Sequence, residues 1–76
     1  MSKILKISLN SVEDVKEFVN LTGKMQGEAT ITSGKYVIDA KSIMGIFSLD
    51  LSKIMELEIS EWKDSYEESL KAYMAH

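Results

Sequence analysis

The sequence predicts an α+β fold, a two-layer sandwich in which one sheet is covered on one face by helices. Four short segments alternate between apolar and polar residues, which is typical of half-buried strands. Three further segments carry helix-capping residues or apolar residues at helical spacing. The 76 residues make one domain, residues 1–76, with little room for a deep core.

The first strand is predicted at residues 3–9, where apolar residues alternate with polar ones. Asn10 or Ser11 is the predicted N-cap of the first helix, because each precedes an acidic residue by three positions. Gly23 is the predicted C-terminal end of this helix. Its apolar stripe is predicted to contain Val12, Val15, Phe18, Val19 and Thr22.

The residue pattern in the middle of the chain predicts a hairpin followed by a short helix. Residues 28–32 alternate, and the Ser33-Gly34 pair is the predicted tight turn into a strand at residues 35–40. Ser42 then caps a short helix, residues 42–48.

The last strand and the last helix complete the order strand, helix, strand, strand, helix, strand, helix. Residues 55–60 alternate cleanly between apolar and polar residues, with Glu56 and Glu58 among the polar ones. The helix is predicted to begin near Asp64 or Ser65, because Asp64 and Glu67 have the spacing of a capping box. Its buried stripe is predicted to contain Tyr66, Leu70 and Tyr73.

The composition argues against several classes of function. The net charge is −3 and all nine basic residues are lysines, so the clustered positive charge of a nucleic-acid-binding protein is absent. There is no cysteine, which excludes disulfides and thiolate metal sites. No segment has a signal-peptide pattern or approaches the roughly 20 apolar residues of a spanning helix. We therefore expect a soluble cytoplasmic protein that contacts neither nucleic acid nor membrane.

Catalytic residue types are nearly absent. The single histidine is the last residue, His76, and without a cysteine neither a histidine-based triad nor thiol catalysis can be assembled. The acidic pairs Glu56/Glu58 and Glu67/Glu68 fall where solvated strand and helix faces place them. The glycines do not have phosphate-loop spacing. We expect no enzymatic activity, no metal site and no cofactor.

Two overlapping segments carry a family resemblance. Residues 39–49 read "DAKSIMGIFSL", and residues 17–42 read "EFVNLTGKMQGEATITSGKYVIDAKS". The first is similar to the KSIMG-type segment of HPr, the histidine-containing phosphocarrier protein of the bacterial sugar phosphotransferase system, as found in low-GC Gram-positive bacteria. The second keeps the spacing of that family's first helix, second strand and hairpin. The resemblance implies an open-faced β-sandwich of order βαββαβα, with a four-stranded antiparallel sheet covered on one face by three helices.

The resemblance breaks down where HPr carries its phosphoryl group. The family uses a histidine within a Gly-Leu-His-x-Arg-Pro stretch at the N-terminus of the first helix. Residues 8–18 here read "SLNSVEDVKEF", without histidine, arginine or proline. Counting back from Phe18 without a gap places Ser11 at the histidine position and Glu13 at the arginine position, and a gap would move both by a residue or two. Glu13 and Asp14 repel a phosphoryl group, so we predict no phosphohistidine carrier activity, with Ser11 serving as an N-cap.

The resemblance places a regulatory site at Ser42. In HPr proteins of low-GC Gram-positive bacteria, and in catabolite-repression paralogues without the histidine, an ATP-dependent kinase phosphorylates the KSIMG serine. The modified protein then binds a transcriptional regulator. A phosphate on Ser42 would lie at a helix N-terminus, with Lys41 as a partial counter-charge.

The helix at residues 42–48 is the docking surface of the family. Helical spacing turns Ile46 and Leu49 toward the sheet. The predicted partner-binding residues are Lys41, Ile43, Met44 and Phe47, unless Ile43 or Phe47 folds inward. The expected partners are the kinase, the transcriptional regulator or a phosphotransferase-system enzyme. Two alternatives remain: a constitutive interaction module outside that network and, least favoured, a genuine phosphocarrier.

Overall fold

The computed structural model describes residues 1–75, and its helices and strands follow the predicted order. The strands within this range are β1 (Lys3–Ile7), β2 (Ala29–Ser33), β3 (Tyr36–Asp39) and β4 (Met55–Ile59). The α-helices are α1 (Val12–Gly23), α2 (Ile43–Phe47) and α3 (Ser65–Leu70), and a 3-10 helix at Lys71–Tyr73 continues α3. His76, the single histidine of the sequence, lies outside the described residues.

The strands form one antiparallel sheet in the order β1-β4-β2-β3. Strand β4 lies between β1 and β2, so that Leu5 and Ile31 both lie opposite Leu57. These apolar residues face the helices. The predicted α+β class and open-faced β-sandwich are confirmed.

The sheet buries one face and exposes the other. Along β4 the buried residues Met55, Leu57 and Ile59 alternate with the exposed Glu56 and Glu58, as the sequence pattern predicts. The helices complete the core with buried side chains of Val15, Phe18, Ile46 and Leu70. Removal of this apolar surface from water is the main favourable term for so small a chain.

The hairpin turn lies one residue later than the sequence predicts. Ser33 pairs with Tyr36 as the last residues of β2 and β3, so the loop consists of Gly34 and Lys35. Gly34 has a φ of +60°, whereas no non-glycine residue of the described range has a positive φ. Glycine at the first loop position is typical of a type II′ turn, whose twist matches that of the strands.

Three local predictions differ from the structure. Val12 is 56% exposed, because it is the first residue of α1 and lies too early in the helix to reach the sheet. Asp64 has helical backbone angles and makes no side-chain capping bond, so the predicted capping box with Glu67 does not form. Leu9 is buried as predicted, but β1 ends before it, at Ile7.

The C-terminal residues cover part of the β1 edge. Met74 forms an isolated antiparallel bridge with Ile7, and the N–H of Ala75 donates to the carbonyl of Lys6 at 2.9 Å. Tyr73 fixes this segment to α1: its ring lies 5.7 Å from that of Phe18, and its hydroxyl donates to the Glu17 carboxylate at 3.2 Å. Burial and the neighbouring Glu17 carboxylate raise the pKa of Tyr73.

Candidate functional site

Helix α2 presents a small apolar surface around its exposed side. Met44 is 78% exposed and Phe47 is 39% exposed, while Ile46 is fully buried, as the helical spacing predicts. Ile43 is half-buried and packs against the core, which is the inward alternative that the sequence leaves open for it. A helix this short lets the residue after its cap reach the core, which periodicity alone does not reveal. The exposed apolar groups of α2 are therefore Met44 and Phe47.

Ser42 is the N-cap of α2, as predicted. Its extended backbone precedes the helix, and its hydroxyl oxygen accepts a hydrogen bond from the N–H of Gly45 at 3.1 Å. The side chain is half-buried. This bond satisfies one of the free amides at the start of the helix.

Gly45 stands beside the Ser42 hydroxyl, which gives a physical reason for a glycine inside a helix. A Cβ atom at this position would lie 3.3 Å from the hydroxyl oxygen of Ser42 and 3.5 Å from Cδ1 of Ile38. The first distance is tighter than ordinary van der Waals contact. Glycine therefore lets α2 approach β3 while the serine cap stays in place.

Lys41 is held in place by backbone carbonyls. Its ammonium nitrogen donates to the carbonyl of Met25 at 2.9 Å and to that of Gly27 at 2.8 Å. Both acceptors belong to the loop that follows α1. Lys41 thus ties this loop to the start of α2, and its charge is directed at these carbonyls and not at Ser42. Sequence reasoning missed this role, because no local signal links Lys41 to residues so distant in the chain.

Ser11 caps α1, and the Asp14 side chain bonds to the residue before it. Its hydroxyl oxygen accepts from the N–H of Asp14 at 3.1 Å, and the Asp14 carboxylate accepts from the N–H of Asn10 at 3.1 Å. The first bond is the N-cap itself, whereas the second reaches the residue before the cap, so the capping box that the sequence spacing suggests does not close on the Ser11 N–H. Of the two predicted caps, Asn10 and Ser11, the structure selects Ser11.

The charge around the N-terminus of α1 is negative. Glu13 and Asp14 lie in its first turn, where carboxylates interact favourably with the positive end of the helix dipole. The acceptor groups at this end of the helix are supplied by the chain itself, through Ser11 and Asp14. The arrangement stabilises the helix and disfavours an added anion.

The capping role of Ser11 can be measured directly. We expect Ser11→Ala to lower the free energy of unfolding by about 1 kcal/mol, the usual cost of losing an N-cap. Ser2→Ala, an exposed serine before β1, is the matched control and should change the stability by less than about 0.5 kcal/mol. Urea denaturation followed by circular dichroism gives both values. Equal effects would show that the Ser11 hydroxyl does not stabilise α1.

Two structural findings bear on other classes of site. Within residues 1–75 there is no group of three or more histidine, aspartate or glutamate side chains placed to hold a metal ion. No helix in the same range is long and apolar enough to cross a membrane.

Comparison with known proteins identifies similar sequences and folds. A family model described as "PTS HPr component phosphorylation site" matches residues 14–75. The phosphocarrier protein HPr from Bacillus anthracis str. Ames is 26% identical with a TM-score of 0.68, over 99% of this chain and 96% of that chain. HPr-C-His from Thermoanaerobacter tengcongensis is 28% identical with a TM-score of 0.62, over 95% of this chain and 84% of that chain. No curated protein matches the chain. The range matched by the family model leaves Ser11 outside it.

Proposed function

The chain belongs to the HPr family of the bacterial phosphotransferase system, and we propose that it is a non-enzymatic regulatory member that binds protein partners through α2. It carries no phosphoryl group on histidine, and phosphorylation of Ser42 regulates its binding. The observation that carries this proposal is the contrast between its two helix starts. The α1 start has no histidine, arginine or proline and is acidic, whereas the α2 start has a serine cap and an exposed apolar surface.

The start of α1 lacks the groups that phosphohistidine chemistry needs. A carrier histidine requires an imidazole nitrogen as acceptor and free amides or cations to stabilise the added charge. Here the ungapped count back from Phe18 puts Ser11 at that place, and its hydroxyl is engaged in the cap of α1. The adjacent Glu13 and Asp14 carboxylates would repel phosphate.

The start of α2 fits a regulated serine. Phosphorylation of Ser42 would add about −1.5 to −2 charge beside Met44 and Phe47. The Gly45 N–H, which now donates to the hydroxyl oxygen, would be available to a phosphate oxygen. Because the ammonium of Lys41 is bound by two carbonyls, most of the new charge would be left for a cationic group of the partner. That partner would be a kinase, a transcriptional regulator or a phosphotransferase-system enzyme, as in the family.

The second candidate is a constitutive interaction module that kept the fold and left the phosphotransferase network. The same exposed Met44 and Phe47 support it, since an apolar patch can bind without any modification. The two candidates differ in whether Ser42 is modified and in whether the partner belongs to the phosphotransferase network. A genuine phosphocarrier is the third candidate, and the composition of the α1 start argues against it.

Intact-mass spectrometry separates the three candidates. The protein is incubated with ATP and an HPr serine kinase, and separately with phosphoenolpyruvate and enzyme I. We expect one added phosphate in the first reaction, lost in Ser42→Ala, and none in the second. Ser48→Ala is the matched control, because its hydroxyl also bonds to Gly45, through the carbonyl at 2.6 Å.

The remaining outcomes decide between the alternatives. No phosphate in either reaction contradicts regulation at Ser42 and leaves the constitutive module. A phosphate transferred from phosphoenolpyruvate would overturn the loss of carrier activity. A phosphate from ATP that persists in Ser42→Ala would place the modified hydroxyl elsewhere.

A further inference from the structure

Strand β3 is the open edge of the sheet. Of the two edge strands, β1 is partly covered by the C-terminal residues through the bridge from Met74 to Ile7. The described residues place no strand on the outer side of β3. Two of its four residues expose large apolar side chains: Tyr36 is 64% exposed and Val37 is 66% exposed. Such an edge is a template for pairing with another strand.

The hydrogen-bond ladder shows which backbone groups of β3 point outward. The N–H of Ala40, just after β3, donates to the carbonyl of Ala29 at 2.8 Å and continues the pairing of β3 with β2. Bonded and non-bonded positions alternate along an antiparallel pair, so the even-numbered residues of β3 bond to β2. The odd-numbered residues Val37 and Asp39 therefore direct their N–H groups away from the sheet.

We propose that β3 pairs antiparallel with β3 of a second copy of this chain, with Val37 on the two-fold axis. The two Val37 residues would exchange a pair of backbone hydrogen bonds, as the outward direction of their polar groups requires. In this register Lys35 of each copy lies opposite Asp39 of the other. Two copies of the edge are thus complementary in charge. The two four-stranded sheets would form one continuous sheet.

Charge also selects this register over its neighbour. A shift that moves the axis to Ile38 places Asp39 opposite Val37 of the second copy, so that Lys35 no longer faces an acidic residue and both opposite-charge pairs are lost. In the proposed register the helix-covered face instead pairs Tyr36 of each copy with Ile38 of the other. Aromatic and β-branched residues are favourable cross-strand partners.

The proposed dimer does not depend on the function proposed for α2. It uses the edge of the sheet, and Ser42 takes no part in the pairing. A contact through one short strand is at the low end of interface size, so the dissociation constant should be on the order of 100 µM to 1 mM. Each copy carries a net charge of −3, so the association is best measured at about 0.15 M salt, where repulsion is screened.

A charge-exchange experiment tests the pairing. Sedimentation equilibrium of the wild-type chain should show a monomer–dimer equilibrium. Lys35→Glu places like charges opposite Asp39 twice across the axis and should weaken the dimer by roughly tenfold. Asp39→Lys should do the same opposite Lys35. An equimolar mixture of the two variants restores both opposite-charge pairs, so it should associate about as well as wild type. Weak association of the mixture would overturn the register.

A second pair of variants tests the same pairing in case the Asp39 variant does not fold. Asp39 also accepts a hydrogen bond from the N–H of Lys41, so the fold of Asp39→Lys is checked by circular dichroism. Val37→Lys places two lysines at the axis and should weaken the dimer by roughly tenfold. Thr32→Lys, on the adjacent strand directly beside Val37, adds the same charge away from the edge and should leave association unchanged. A wild-type chain that stays monomeric up to about 1 mM overturns the proposal.

Discussion

Gly27→Ala is expected to lower the free energy of unfolding by about 3 kcal/mol, a large share of the stability of so small a protein. Gly27 has a φ of +75°, a conformation that costs a residue with a Cβ about 1 to 2 kcal/mol. The added Cβ would also lie 2.5 Å from the Ser60 hydroxyl oxygen and 2.5 Å from Cγ of Glu61. Both distances are too short for any real contact.

The Ser60 side chain cannot move away without loss. Its hydroxyl oxygen accepts from the N–H of Glu28 at 2.7 Å, and its own N–H donates to the carbonyl of Glu28 at 2.9 Å. Rotation of the hydroxyl would break this exposed hydrogen bond to the Glu28 amide, at a cost of about 0.5 to 1.5 kcal/mol. Glu61 is exposed and can swing into solvent. Most of the destabilisation caused by the clash should therefore come from the contact with Ser60.

Two other glycines provide matched controls. Gly34 has a φ of +60°, but a Cβ added there would meet nothing within 4 Å, so Gly34→Ala should cost only the backbone term, about 1 to 2 kcal/mol. Gly23 has neither a positive φ nor a neighbour within 4 Å, so Gly23→Ala should be neutral or slightly stabilising. Urea denaturation should give the order Gly27, Gly34, Gly23. Equal losses at Gly27 and Gly34 would show that the contact with Ser60 contributes nothing.

Signals that act within a few residues are predictable from the sequence. The caps at Ser11 and Ser42 each bond an amide three positions later, and residue type and spacing identify both. The alternation along β4 also predicts its buried face correctly. In these cases the partner is fixed by local geometry, so no knowledge of the tertiary structure is needed.

Features that depend on distant partners are not predictable in this way. The sequence pattern puts the turn at Gly34 one residue early, because its position follows from the pairing of Ser33 with Tyr36. The bond from Glu28 to Ser60 and the approach of Gly27 to the same residue join segments that only the folded sheet brings together. Composition and periodicity do not predict such contacts.

The candidate site divides in the same way. Met44 and Phe47 are exposed, as predicted, whereas Ile43 packs against the core. A helix as short as α2 has too few residues for periodicity to fix which of them turn inward. That leaves the docking surface as a prediction supported by two exposed side chains and by the family's use of this helix.

Lys41→Met is expected to lower the free energy of unfolding by about 2 kcal/mol. Methionine keeps the length and apolar stem of lysine but removes the ammonium that donates to the Met25 and Gly27 carbonyls. Hydrogen bonds from charged groups contribute about 1.5 to 3 kcal/mol each, but the contact with Gly27 is exposed and water can replace it. Most of the loss should therefore come from the partly buried carbonyl of Met25.

Lys16→Met is the matched control, because Lys16 lies on the exposed face of α1 and the two residue types have similar helix propensity. It should change the stability by less than about 0.5 kcal/mol. Amide hydrogen exchange should also become faster at residues 24–28 in Lys41→Met, since the loop after α1 loses its tie to the start of α2. If Lys41→Met behaves like the control in both measurements, the ammonium of Lys41 is solvated in solution and free to meet a phosphate on Ser42.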